Sequence, residues 1–222
     1  MPPNGLQLLN LQPEHFEALQ QLQIDCYPTL DPRELMRIEH FEAQLTRFPQ
    51  GQFVAILPDQ PGLRNAPLTT QGRLVGQASG FFIDFDFNNP GHTFLQIVDN
   101  NRFGNHDPQG SYYYDADVST HPDARGRGIG TALYNARKTL VRQHHKKGIV
   151  GGGLIPGYAR HKHTLSPHDY VRSVIDGQRT DPTLSFHLRN GFRVRGLLRD
   201  YLIDDASDNW ATLIEWTNDP KT

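Results

Sequence analysis

The chain has 222 residues, a formal net charge of −2 and one cysteine, Cys26. That length suits one large domain or two small ones. The near balance of charge sets nucleic acid aside as a main partner, and the lone cysteine excludes an intrachain disulfide framework and suits a reducing compartment.

The opening MPPNGLQLLN lacks the basic region and long apolar run of a signal peptide. No apolar run approaches the roughly 18–20 residues that cross a bilayer. The expectation is a cytoplasmic protein without a membrane partner. Leu6 to Leu11 reads as a short strand. Pro13 then opens a helix to Cys26, with Phe16, Leu19, Leu22 and Cys26 at helical spacing. Asp31-Pro32-Arg33-Glu34 reads as the start of a second helix, with Asp31 as cap and Glu34 reaching back. Its apolar face is Leu35, Ile38, Phe41 and Leu45. A strand at Gln52–Leu57, a Pro/Gly/Asn-rich loop and a strand at Arg73–Ile83 follow as a hairpin.

Residues 85–111 are irregular and read as an insertion. Next comes YYYDADVST, a strand, then HPDARGRGIG, a Gly-rich turn, then a helix with Ile129, Leu133, Ala136 and Leu140 on one face. Lys146 and Lys147 close that helix and Gly148 ends it. Ile149–Ile155 is a strand containing Gly151, Gly152 and Gly153. Residues 156–180 form a second insertion with a short helix at Ser166–Ile175. Asp181-Pro182 starts a helix stopped by Gly191, and strands at Phe192–Ile203 and Trp210–Trp216 finish the chain. This order makes a mixed α/β (α+β) sheet with helices on its faces, in a single domain spanning 1–222.

The turn carries the chemistry. Glycines at 126, 128 and 130 relieve steric limits, and the first backbone N–H groups of the next helix lack intrahelical partners. Such a helix start attracts phosphate. A P-loop needs Lys-Ser/Thr after its last glycine, and here Thr131 and Ala132 follow Gly130. A dinucleotide fingerprint needs GxGxxG in an early βαβ unit, and here the spacing is GxGxG in mid-chain.

Arg125-Gly126-Arg127-Gly128-Ile129-Gly130 fits a third pattern, Arg/Gln-x-x-Gly-x-Gly/Ala at a strand-to-helix turn. With Val118 and Thr120 before Pro122, and Leu188-Arg189-Asn190-Gly191-Phe192 downstream, it resembles the acetyl-CoA motif of GNAT N-acetyltransferases. The stretches HDPQGSYYYDADVSTHPDARGRGIGTALYNARK, GGGLIPGY, YVRSVIDGQRTDPTLSFHLRNGF and ATLIEW resemble more narrowly the acetyltransferase domain that precedes a nitrilase-type carbon–nitrogen hydrolase in bacterial fusions. The sequence stops at Thr222 without a hydrolase cysteine, so hydrolase activity is not expected to carry over.

The resemblance implies the GNAT acyl-CoA N-acyltransferase fold, a twisted, mostly antiparallel central sheet of about seven strands with helices on both faces. It implies acetyl-CoA as cosubstrate and no metal. It places the pyrophosphate on the backbone of Arg125, Gly126, Arg127, Gly128, Ile129, Gly130 and Thr131, and the pantetheine arm along Val118, Ser119 and Thr120. A backbone N–H near Val118 or Ser119 would polarise the thioester carbonyl. Strand alternation puts Asp115 and Asp117 on one face, as candidate bases or as structural carboxylates. Many members of the superfamily use a tyrosine as acid four residues before the late glycine; here that position is His187, which can donate a proton or simply pack.

His144-His145 and His161-Lys162-His163 lack neighbouring ligands at metal spacing, and Cys26 reads as a core residue. His92, His106, Tyr158, Arg160 and Asp169 in the insertions are candidates for the acceptor side. The leading expectation is acetyl transfer to a primary amine of a small molecule or peptide, by direct attack in a ternary complex. The competing ones are a non-catalytic acyl-CoA-binding module serving a separate nitrilase-type hydrolase, and an enzyme for longer acyl groups with room beside Gly151–Gly153. A homodimer is compatible with each.

Overall fold

The computed structural model describes residues 3–219, so the outermost residues of the expected 1–222 span lie outside the description. The strands are β1 (Gln7–Asn10), β2 (Phe53–Leu57), β3 (Leu68–Thr69), β4 (Gly72–Ile83), β5 (Tyr112–Thr120), β6 (Gly148–Leu154), β7 (Arg193–Leu198) and β8 (Ala211–Thr217). The helices are α1 (Phe16–Cys26), α2 (Ile38–Arg47), α3 (Phe94–Ile97), α4 (Ile129–Gln143), α5 (Pro167–Ile175) and α6 (Leu184–Arg189). All eight strands join one sheet in the order β1-β2-β4-β5-β6-β8-β7, with two-residue β3 beside β4. This is the expected mixed α/β, mostly antiparallel architecture, with β3 as the addition.

Among the described residues only β5 and β6 run parallel. A parallel pair needs a long crossover, and α4 provides it. The β5–β6 ladder runs from Tyr112↔Gly148 to Asp115↔Gly151 and stops. Beyond it β5 continues on β4 to Thr120, while β6 continues on β8 to Leu154. The sheet therefore splits at its centre, and the inner edge of Ala116–Thr120 has no ladder partner in β6.

A bulge sits at the same level. Ser79 pairs with Asp117 and its neighbour Gly80 with Asp115, so Ala116 is the extra residue. A bulge breaks side-chain alternation. Asp115 reaches Tyr134 and Arg137 of α4, whereas Asp117 reaches Gln23 of α1 and Tyr27 just beyond its end. The expectation that both carboxylates share a face is thus corrected. β4 is buried along its interior because α1 and α4 both pack on it. The core beneath includes Leu22, Phe41, Phe81 and Tyr114.

Two helix ends differ from the sequence reading. α2 starts at Ile38 because Leu30 and Asp31 are drawn into pairing with residues 203–204: Leu30 bridges Asp204, and the Asp31 N–H donates to the Ile203 carbonyl. The Asp31 carboxylate accepts from Arg33 instead of capping a helix. α4 ends at Gln143, where His145 turns left-handed at φ +52° and the Lys146 N–H closes on the Val141 carbonyl. Gly148 is already the first residue of β6. No helix among the described residues is long and apolar enough to cross a membrane.

Candidate active site

The start of α4 opens on a cleft of about 790 Å³ that extends to the split between β5 and β6. Gly128 caps α4 at φ +79°, a left-handed backbone that disfavours a Cβ, and no side chain caps the helix in its place. The first N–H groups of a helix this long form a natural anion site. Arg125, Gly126, Gly128, Ile129, Gly130 and Thr131 line the cleft, as do Val118, Ser119 and Thr120. Arg127 lies apart from it, its guanidinium donating to the Asp123 carbonyl at 3.3 Å. Gly130 has a packing role, since a Cβ there would come within 2.8 Å of the Phe186 ring.

Cys26 also lines this cleft. Burial pushes its thiol up to about 12, which keeps it protonated and a poor nucleophile.

His187 of α6 closes the split end. Its environment is a buried chain of polar groups. Arg137 forms an ion pair with Asp115, and its guanidinium also donates to the Ser79 carbonyl at 2.9 Å. The Tyr134 hydroxyl donates to Asp115 Oδ2 at 3.0 Å and lies 2.7 Å from His187 Nδ1. A phenol has one proton. With that proton committed to Asp115, Nδ1–H of His187 donates to the Tyr134 oxygen, and Nε2 carries a lone pair. The hydrogen-bond network assigns this tautomer. Nε2 is buried and has no partner.

Burial, aided by Arg137 and opposed by Asp115, lowers the imidazole to about 4, so the ring is neutral near pH 7. Burial likewise holds the Tyr134 phenol well above its ordinary value, with Asp115 adding to the effect.

Gly152 and Gly153 border a small cavity and also lie directly under side chains. A Cβ at Gly152 would fall 2.2 Å from the Tyr201 ring, and one at Gly153 would fall 2.8 Å from His187 Nε2. These glycines let side chains cross the strand closely.

Asp117 is 7% exposed and already engaged. Its Oδ1 accepts from the Tyr27 hydroxyl, and its Oδ2 accepts from Gln77 and from Gln23, the latter at 2.6 Å. Burial raises this carboxyl, and the donated hydrogen bonds oppose the rise. Three donors are the pattern of a carboxylate that fixes its surroundings.

A second, smaller cavity of about 120 Å³ adjoins the site between α1, residues 30–36 and residues 201–202. His187, Asp115 and Asp117 border it, and so do Tyr27, Glu34 and Tyr201. None of the five insertion residues expected on the acceptor side lines either space. His92 donates or accepts at the Tyr114 hydroxyl, His106 stacks on Phe48, Tyr158 packs on Tyr170, and Asp169 accepts from Ser166, the residue that caps α5.

Tyr134, Arg137, Gln23, Tyr27 and Glu34 escaped the sequence reading. Arg137 had a visible signal. It lies four residues after Leu133 and three before Leu140, on the buried stripe of α4, while Ala136 is only half-buried. A fully buried arginine on an apolar stripe needs a carboxylate, and Asp115 on the neighbouring strand supplies it.

Comparison with known proteins agrees with this geometry. The model of the acetyltransferase (GNAT) family matches residues 16–150. The chain is 33% identical over 215 residues to the uncharacterized N-acetyltransferase YkwB of Bacillus subtilis (strain 168), covering 96% of this chain and 89% of that protein. It is 36% identical over 210 residues to the probable hydrolase YhcX of the same organism, covering 94% of this chain but only 38% of that protein. Among solved structures, the GphF GNAT-like decarboxylase in complex with isobutyryl-CoA superposes with a TM-score of 0.77 at 21% identity, covering 96% of this chain and 100% of that one. A split central sheet, an uncapped helix start facing the cleft, and a family match across the strand–turn–helix that builds both place this chain in the GNAT acetyltransferase family.

Proposed function

We propose that the protein transfers the acetyl group of acetyl-CoA to a primary amine by direct attack in a ternary complex. The observation that carries this reading is His187, which lines the inner end of the cleft where β5 and β6 part and whose buried Nε2 has no hydrogen-bond partner. The pyrophosphate would rest on the N–H groups at the start of α4, and the pantetheine arm would run along Val118–Thr120. An N–H on the free inner edge of β5 would hold the thioester oxygen as negative charge develops.

The amine nitrogen bonds to the carbonyl carbon and the carbon–sulfur bond breaks, its electron pair leaving on sulfur. The nitrogen becomes positive as it attacks, so its proton becomes acidic. The Nε2 lone pair takes that proton and can return it to the departing thiolate. His187 thus acts first as acceptor, a change from the donor role expected from its sequence position. Asp115, Tyr134 and Arg137 hold its tautomer. Asp117 orders Tyr27 and Gln23 beside the acceptor space.

The test is release of free CoA with a panel of primary amines. Failure of acetyl-CoA to bind at millimolar concentration would sink the reading.

The likeness to YhcX supports a second reading, an acyl-CoA-binding module that works with a carbon–nitrogen hydrolase. It predicts that H187Q leaves every measured turnover unaltered. Mass spectrometry of co-purifying CoA species separates acetyl-CoA from longer acyl-CoA donors.

A further inference from the structure

The small cavity beside His187 has an unbalanced set of ionisable side chains. Three acidic side chains border it, Glu34, Asp115 and Asp117, and its lining contains no lysine or arginine. Asp115 is answered by Arg137, and Asp117 by Tyr27, Gln23 and Gln77. Glu34 is different. It is 5% exposed, its Oε2 has no hydrogen-bond partner, and its Oε1 meets only the Ile203 N–H at 3.4 Å.

The residue is held in place by its backbone, whose N–H donates to the Asp31 carbonyl and whose carbonyl accepts from Asn101 at 3.2 Å. Leu30, Met36, Phe94 and Leu202 complete the apolar part of the wall.

We infer that Glu34 binds a second cationic group of the acceptor, so that the amine substrate is a short aliphatic diamine rather than a monoamine or an amino acid. This rests on the acetyl-transfer reading for the identity of the reacting end, but the charge preference stands on the cavity alone. Burial raises the Glu34 carboxyl, because a buried carboxylate without a donor is costly, and an ammonium within reach would remove that cost and hold the group ionised. An alkyl acyl group or a substrate carboxylate in the same place would leave the cost or raise it. The size agrees, since a cavity of about 150 Å³ holds a six-carbon molecule such as benzene and this one measures about 120 Å³. His187 borders the same cavity, so one amine can lie beside the imidazole while the chain runs inward.

The test is calorimetric titration of the CoA-saturated protein with putrescine, butylamine and γ-aminobutyrate. These four-carbon amines end in an ammonium, a methyl and a carboxylate. Putrescine is expected to bind roughly 10- to 100-fold more tightly than butylamine, the range of a charge-assisted hydrogen bond, and γ-aminobutyrate more weakly still. E34Q is expected to collapse the putrescine-to-butylamine ratio towards one. Equal binding of the three, absence of binding by putrescine, or a ratio that survives in E34Q overturns the inference. Because this readout is binding and not turnover, a protein that binds putrescine selectively but releases no CoA would refute the acetyl-transfer reading and leave the cavity assignment standing.

Discussion

The Nδ1 atom of His187 and the hydroxyl of Tyr134 lie 2.7 Å apart, and that hydroxyl is committed to Asp115 on its other side. This one contact decides which imidazole nitrogen keeps its lone pair. It holds the imidazole in a fixed tautomer with the lone pair on Nε2.

Replacing the imidazole removes the acceptor. H187Q is expected to lower kcat by about 10²–10⁴ while acetyl-CoA affinity stays within a few-fold. Y134F is expected to cost less, roughly tenfold, because it frees the tautomer without deleting Nε2. Steady-state kinetics with calorimetry of acetyl-CoA binding measures both. Unchanged kcat in H187Q would exclude the role.

Stability should depend on pH through the same residue. The folded imidazole is lowered to about 4, from an ordinary value of 6.5. Between these values the unfolded chain binds the extra proton and the folded chain does not, so stability rises with pH. The contribution is fully present above pH 6.5 and is lost as pH falls towards 4. Its size is roughly 3 kcal/mol. Urea unfolding from pH 4 to 7 is expected to show a shallower slope in H187Q than in the parent.

Arg137 and Asp115 form the buried anchor of this chain. R137M leaves the carboxylate without its partner and is expected to cost about 3–5 kcal/mol. Changing both, as in R137M with D115L, is expected to recover much of that loss in stability but not in activity. Chemical denaturation and kcat together distinguish the two effects.

The cleft end of the site rests on Gly128. G128A forces an alanine into the left-handed region at a cost of about 1–2 kcal/mol and shifts the N–H groups that face the cleft. A weaker affinity for CoA is expected, with a smaller effect on phosphate-free fragments such as pantetheine. G126A provides a comparison, since its backbone is also left-handed, at φ +77°, but a Cβ there meets nothing within 4 Å.

Much of this arrangement was legible in the sequence, for local reasons. The period of β5, the glycines of the turn and the helix that follows are short-range features, and they located the cleft-lining residues from Val118 to Thr131 apart from Arg127. Side-chain alternation misplaced Asp117 because Ala116 is an extra residue only relative to β4, a partner distant in sequence. Asp31 was read as a helix cap with Glu34 reaching back to it, because nothing local reveals that residues 203–204 pair with the segment. The insertion residues seemed exposed and polar, but three of them serve packing or capping. Long-range pairing decided the cases of Asp117 and Glu34.

The central claim is that an acyl group passes from CoA directly to an amine, with His187 Nε2 receiving the proton. The most direct measurement is a single-turnover experiment. Acetyl-CoA bound to the protein is mixed with excess putrescine, and both the amine and the intact protein are weighed by mass spectrometry. The account predicts acetylated amine appearing together with free CoA, no acetylated protein at any time, and a rate about 10²–10⁴ lower in H187Q. Acetyl on the protein before the amine, or an equal rate in H187Q, would contradict it.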